Sequence, residues 1–128
     1  MPVQVSTIMI GVQDLQRSKR FYAEGLGCRI AQDHPGFVSF DLGEGSSSLA
    51  LYQWEAAAQD AGVPSEGSGF RGVSFHHIVP TKAEVDEVMR KAAEAGAGIV
   101  RETTERPWGS FGYFSDPDGH LWKVASGS

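Results

Sequence analysis

Two short segments of the chain alternate apolar and polar residues, and each stands near the start of one half of the sequence. Residues 5–12 and residues 73–79 place apolar side chains at every second position. A period of two is typical of a half-buried β-strand, because successive side chains point to opposite faces of a sheet. The shared side carries Ile8, Ile10 and Val12 in the first segment and Val73, Phe75, His77 and Val79 in the second. Each half is therefore predicted to open with a strand.

A helical pattern follows each of these strands. Asp14 is a candidate N-cap, and apolar residues then recur at helical spacing until Gly25 and Gly27. In the second half, Thr81 and Glu84 have the capping-box spacing that marks a helix start. The apolar stripe of that helix consists of Val85, Val88, Met89, Ala92 and Ala95. Each strand is thus predicted to lead into a helix.

Three more strand candidates complete each half, separated by Pro and Gly turn residues. They span residues 29–33, 37–42 and 48–54 in the first half and residues 99–103, 111–115 and 121–125 in the second. The chain is therefore predicted to repeat a β-α-β-β-β unit, an α+β fold, with module 1 at about residues 3–54, a linker at residues 55–71 and module 2 at about residues 72–125. Because neither module buries a full core alone, we expect one domain, residues 1–128, with a shared concave surface.

The charge and composition of the chain exclude some classes of binding partner. The chain has 128 residues and a net charge of −5, with 11 basic residues that are scattered along it. No basic stripe is present, so we expect no nucleic-acid partner. No apolar run reaches the ~20 residues that span a bilayer, and the first residues lack signal-peptide character, so we expect no membrane partner and a cytoplasmic location. Cys28 is the only cysteine, which excludes an internal disulfide.

Three stretches carry a resemblance to a known family. They are GVQDLQRSKRFYAEGLG at residues 11–27, TKAEVDEVMRKAAEAGA at residues 81–97 and PWGSFGYFSDPDGHLWKVA at residues 107–125. Together with the repeated unit, they closely resemble the vicinal oxygen chelate superfamily, which contains glyoxalases, bleomycin resistance proteins and extradiol dioxygenases. The resemblance implies that two β-α-β-β-β modules form an open barrel-like cup, commonly within a homodimer.

The DPDG stretch has a structural explanation of its own. Asp at the first position, Pro at the second and Gly at the fourth are the residues that a type I turn favours. Asp116 to Gly119 is therefore predicted to be a hairpin corner rather than an acid–base pair.

The resemblance also points to four positions that bind a metal ion in other members. Metal-dependent relatives have a glutamate directly after DPDGxLW, and this chain has Lys123 there. The other three places fall at Thr7, Ala50 and Ser74. A charged lysine has no lone pair, and the other three side chains are poor ligands for a divalent ion. The resemblance thus implies a degenerate metal site, with no metal and no other cofactor.

Histidines and aromatic residues are further candidates. Adjacent strand residues point to opposite faces, so His77 is predicted under the helix layer, partly buried, and His76 in the cup. The role of His76 stays open between a ligand contact and a polar wall residue. Tyr52 and Trp54 share the face of Ala50 by alternation, and Trp108 is predicted in a loop at the mouth of the cup.

The sequence therefore predicts a protein that binds a small organic molecule and so sequesters an antibiotic or a metabolite. Lys123 either pairs with an anionic or carbonyl-bearing ligand or extends its amine into water. No catalytic residue is identified. The candidate ligand-binding residues are Thr7, Tyr52, Trp54, Ser74, His76, Trp108, Tyr113 and Lys123.

Two alternatives remain. One is a metal-dependent lyase, isomerase or dioxygenase in which His76 and a carboxylate such as Glu102 or Glu105 rebuild the metal centre, or in which Lys123 acts as a base. The other is a scaffold whose cup serves only as an assembly surface.

Overall fold

The computed structural model describes residues 5–61, 63–71 and 73–127. Within them the chain divides into two compact units, one ending at Gly67 and the other beginning at Ser68. No helix in these described ranges is long and apolar enough to cross a bilayer.

The first unit contains one mixed four-stranded sheet. Its elements in chain order are β1 (Thr7–Val12), α1 (Leu15–Arg20), a π-helical turn (Phe21–Gly25), β2 (Arg29–His34), β3 (Phe37–Asp41), β4 (Ser48–Gln53) and α2 (Trp54–Ala61). The strand order is β1-β4-β3-β2. β1 pairs in parallel with β4, and the other pairings are antiparallel.

The second unit repeats this arrangement. Its elements are β5 (Ser74–Ile78), α3 (Lys82–Glu94), β6 (Gly98–Arg106), β7 (Gly109–Ser115) and β8 (Leu121–Ser126). The strand order is β5-β8-β7-β6, with β5 parallel to β8. The predicted α+β class and the repeated β-α-β-β-β order are therefore confirmed.

Caps and apolar faces build each core as the pattern predicts. The Asp14 side chain accepts a hydrogen bond from the Arg17 amide at 3.0 Å, and Thr81 Oγ1 accepts one from the Glu84 amide at 3.2 Å. These bonds satisfy amides that have no partner inside the helix. The buried apolar residues on the helix-facing sides of the sheets include Ile10, Val12, Val38, Phe40, Leu49, Leu51, Phe114 and Val124.

The DPDG stretch is a hairpin corner, as predicted. Asp116 is buried, and its carbonyl accepts a hydrogen bond from the Gly119 amide at 3.0 Å. Its Oδ1 also accepts bonds from the amides of Asp118 and His120, both at 2.9 Å. Asp116 thus holds the turn that leads into β8.

The predicted burial of His77 is wrong, although its face is right. His77 pairs in register with Val124, whose side chain faces α3. However, β5 is the edge strand of its sheet, and α3 packs on β6, β7 and β8. His77 therefore remains exposed, because the edge strand lies outside the three strands on which α3 packs.

The structure gives two segments other bounds than those predicted from the sequence. β4 ends at Gln53, and Trp54 begins α2, which occupies the first part of the segment expected to be a linker. Alanine is the best helix former, which explains a helix in WEAAAQDA. β6 extends to Arg106, beyond the predicted end at Thr103, so that only Pro107 and Trp108 connect β6 to β7.

Candidate functional site

The back face of the second sheet, meaning the side turned away from α3, carries most of the candidate residues. Trp122 and Val124 lie on the α3 side, so Lys123 between them points to the back face. Lys123 pairs in register with His76 on β5 and with Tyr113 on β7. Side chains of paired residues share a face, so His76 and Tyr113 lie beside Lys123.

Lys123 is half-buried among aromatic rings. Its Nζ lies 5.0 Å from the centre of the Phe111 ring, 5.6 Å from that of Trp108 and 5.9 Å from that of Tyr113. A cation within about 6 Å of an aromatic ring centre is attracted by the ring quadrupole. The ammonium is thus held on the back face by three rings.

Phe111 is the centre of this group. It is only 7% exposed, and the indole of Trp108 stacks on it with centroids 5.6 Å apart and an interplanar angle of 20°. The guanidinium carbons of Arg101 and Arg106 lie 5.0 and 5.6 Å from the centre of the same ring. We call these residues the cation–aromatic cluster; its members are Arg101, Arg106, Trp108, Phe111, Tyr113 and Lys123.

The positive charge of the cluster has no acidic counterpart in the described residues of the second unit. None of its three cations has a carboxylate oxygen within 4.0 Å there. Arg106 Nη1 donates to the backbone carbonyl of Glu105 at 3.3 Å. The partners of these cations are therefore aromatic rings and a carbonyl; Lys123 is half-buried, whereas Arg101 and Arg106 are exposed to water.

Glu105 lies on the opposite side of the sheet. It pairs with Ser110, which is adjacent to back-face Phe111 and so points towards α3. The pKa of Lys82 on α3 lies above its usual value, mainly through a hydrogen bond to Asp86 and to a smaller extent through the charge of Glu105. Glu105 and His76 thus occupy opposite faces, which counts against a metal centre built from these two residues.

Ser74 and His76 form a small polar pair on β5. Ser74 Oγ lies 3.1 Å from His76 Nε2. The polar groups that this pair and the cluster bring to the back face are therefore the imidazole of His76, the hydroxyl of Ser74, the phenol of Tyr113 and the three cations of the cluster. Such a donor set does not fit a divalent ion, which prefers several carboxylate or imidazole ligands. The described residues contain no group of three or more His, Cys, Asp or Glu side chains placed to hold a metal.

The remaining candidates belong to the first unit. Thr7 is exposed and pairs with Ser48, and Tyr52 is half-buried and pairs with Gly11. Trp54 is a helix residue rather than a strand residue; its Nε1 donates to the Ser65 carbonyl at 2.9 Å, and its ring packs against Gly11. All three contribute to the face of the first sheet opposite α1. Their participation with second-unit residues in one site stays a prediction.

Two of the four positions that the resemblance points to, Ala50 and Lys123, occupy equivalent places in the two sheets. Ala50 pairs with Met9, two residues after Thr7, and Lys123 pairs with His76, two residues after Ser74. Ala50 is buried, whereas Lys123 is half-buried.

Sequence reasoning missed Arg101 and Arg106 as site residues. They are separated by an odd number of positions, so simple alternation places them on opposite faces. The pairing of β6 with β7 shifts register between Ile99 and Arg101 and again between Arg101 and Thr104. These irregularities bring both guanidinium groups to the Phe111 ring.

Comparisons with known proteins identify the family. The model of the Glyoxalase/Bleomycin resistance protein/Dioxygenase superfamily matches residues 4–124. A glyoxalase-related enzyme from Fulvimarina pelagi has a similar structure, with a TM-score of 0.84 and 31% identity, covering 96% of this chain and 87% of that one. The uncharacterised protein YetH of Bacillus subtilis is 28% identical over 122 residues, 93% of this chain and 94% of YetH.

A lactoylglutathione lyase of Haemophilus influenzae is 24% identical over 129 residues, 92% of this chain and 88% of the lyase. The matches extend over both β-α-β-β-β units, in agreement with the fold described above. The chain therefore belongs to the Glyoxalase/Bleomycin resistance protein/Dioxygenase superfamily.

Proposed function

We propose that this protein binds a small organic molecule at the back face of the second sheet, without a divalent metal ion. The observation that carries the proposal is the position of Lys123. Its ammonium lies among three aromatic rings, at the place where the sequence resemblance puts the metal-binding glutamate of other members.

The chemistry of the cluster supports a site without metal. A charged lysine offers three donors and no lone pair, so it cannot coordinate a cation. Arg101 and Arg106 add two more positive charges around Phe111. A divalent ion on this face would meet repulsion from all three groups, most strongly from the half-buried Lys123, because Arg101 and Arg106 are exposed to water that screens their charge.

Sequestration of an antibiotic or a metabolite is the function that this site supports best. The named relatives include a lactoylglutathione lyase and a glyoxalase-related enzyme. A shared architecture does not carry a shared reaction, because function depends on the residues of the site. Here the back face combines aromatic surface with hydrogen-bond donors, the combination by which proteins hold small ligands.

Elemental analysis of protein purified without chelator tests the metal part of the proposal. We expect Fe, Mn, Ni and Zn all well below one atom per chain. About one metal per chain that is lost in His76→Ala would overturn the proposal and favour the enzyme alternative.

Thermal unfolding in the presence of a metabolite and antibiotic panel tests the binding part. A ligand at a hundred times its Kd adds about 2.7 kcal/mol of stability, which raises the Tm measurably. We expect at least one compound to raise the Tm of the wild type and to lose this effect in Lys123→Met. Lys91→Met, at an exposed position of α3, serves as the control, and we expect the compound to raise the Tm of this variant as it does that of the wild type. A panel without any hit, or a hit that Lys123→Met leaves unchanged, would contradict the proposal.

A further inference from the structure

We infer that the ligand is a small planar aromatic carboxylate, held by the cation–aromatic cluster. This inference rests on the proposed function and names the chemical class of molecule that the same site takes.

The charge of the cluster favours an anionic ligand. Lys123, Arg101 and Arg106 all approach one ring, with each cationic centre within 5.6 Å of the Phe111 centroid. In the described residues of this unit no carboxylate neutralises them. A bound carboxylate would supply the opposite charge that these three cations lack within the described residues of the unit. Guanidinium groups suit it in particular, because their planar N–H pairs match both oxygens of a carboxylate.

The aromatic part of the ligand follows from Trp108. Its indole stacks on Phe111, yet 52% of the residue is exposed. An exposed indole at the edge of a cationic site offers a flat apolar surface to a second ring, and aromatic pairs gain stability beyond the area that they bury. A ring that stacks on Trp108 while its carboxylate reaches the cations would use both features at once.

The charge of the whole chain limits the size of the anion. The net charge is −5, so a long polyanion would be repelled outside the cluster. The attraction is confined to one face of one sheet, which favours a small molecule over a nucleic acid or an acidic protein.

Isothermal titration with three matched probes tests the inference: 2-naphthoate, the neutral 2-naphthamide and the non-aromatic decalin carboxylate. We expect the wild type to bind 2-naphthoate about tenfold or more tightly than either comparison compound. Arg101→Gln and Lys123→Met should each weaken naphthoate binding by about tenfold, and Trp108→Leu should remove the preference for the aromatic acid. Arg90→Gln, an exposed α3 arginine that pairs with Glu87 and Glu94, should bind naphthoate as the wild type does.

The outcomes separate this inference from the proposed function. Equal binding of naphthamide would overturn the requirement for an anion, and equal binding of decalin carboxylate would overturn the requirement for an aromatic ring. Failure of all three probes to bind, while a panel compound still raises the Tm through Lys123, would overturn the ligand class and leave the proposed function standing. Circular dichroism shows whether each variant is folded. A loss of binding by a folded variant is then assigned to the site.

Discussion

The ammonium of Lys123 lies 5.0 Å from the centre of the Phe111 ring, although the two residues stand on different strands. Lys123 pairs in register with Tyr113 and Phe111 pairs with Ala125, so the lysine and the phenylalanine are diagonal neighbours on one face of β7 and β8. Diagonal neighbours in a sheet are within reach of long and aromatic side chains. The sheet register therefore places the cation over the ring.

A double-mutant cycle should detect this contact as a coupling free energy. Lys123→Met keeps most of the length of the side chain and removes its charge, and Phe111→Leu keeps an apolar side chain and removes the ring. We expect the two substitutions to be non-additive in the free energy of unfolding, with a coupling of about 0.5–2 kcal/mol that favours the native pair. Urea unfolding of the wild type, both single variants and the double variant measures it. Additive effects would show that the lysine gains nothing from the ring.

Replacing Asp116 should destabilise the corner before β8. Its Oδ1 accepts hydrogen bonds from the amides of Asp118 and His120, and the residue is buried. Asp116→Ala leaves these donors without that acceptor, and we expect a loss of about 1–3 kcal/mol in the free energy of unfolding. Asp116→Asn keeps an oxygen acceptor and should lose less. Asp60→Ala, at an exposed position of α2, is the control; an equal effect of Asp116→Ala and Asp60→Ala would refute the role of the turn.

Gly112 allows α3 to approach β7 closely. A Cβ at Gly112 would lie 3.0 Å from Met89 Cε, 3.1 Å from Met89 Sδ and 3.3 Å from the Arg101 carbonyl oxygen. Gly112→Ala should therefore overpack the core and lower the free energy of unfolding by about 1–3 kcal/mol. Gly36→Ala is a matched control, because a Cβ at Gly36 has no neighbour within 4 Å. Thermal unfolding compares the two; an unchanged or raised Tm for Gly112→Ala would mean that Met89 repacks without cost.

Cys28 should react slowly in the folded protein. Burial raises the pKa of its thiol above the ordinary value, so less of the reactive thiolate is present near neutral pH. We expect iodoacetamide to modify native protein more slowly than protein unfolded in urea at the same pH, as measured by mass spectrometry. Equal rates would contradict the effect of burial.

The same pKa shift makes stability depend on alkaline pH. The folded protein holds the thiol proton more strongly than the unfolded chain does. Its contribution to stability is therefore complete below the unfolded pKa of about 8.5 and is lost as the pH rises through the higher folded pKa. Cys28→Ala should reduce the alkaline decline in the free energy of unfolding, and a decline identical to that of the wild type would assign it to other groups.

Local chemistry made much of the fold readable from the chain alone. The caps at Asp14 and Thr81, the corner at Asp116 and the repeated order of elements depend on residues only a few positions apart. The outward direction of Lys123 relative to α3 also follows from local alternation between Trp122 and Val124. Such features need no knowledge of distant strands, because backbone hydrogen bonds and side-chain alternation define them.

The tertiary structure determined which side chains contact one another in the candidate site. Arg101 and Arg106 come to the same ring only because the pairing of β6 with β7 is irregular, and no local pattern records those register shifts. His77 is exposed because β5 is an edge strand, a property of the order β5-β8-β7-β6 rather than of the residues in β5. Periodicity assigns a residue to a face, whereas strand order and register assign its neighbours, and these depend on pairings between residues far apart in the sequence.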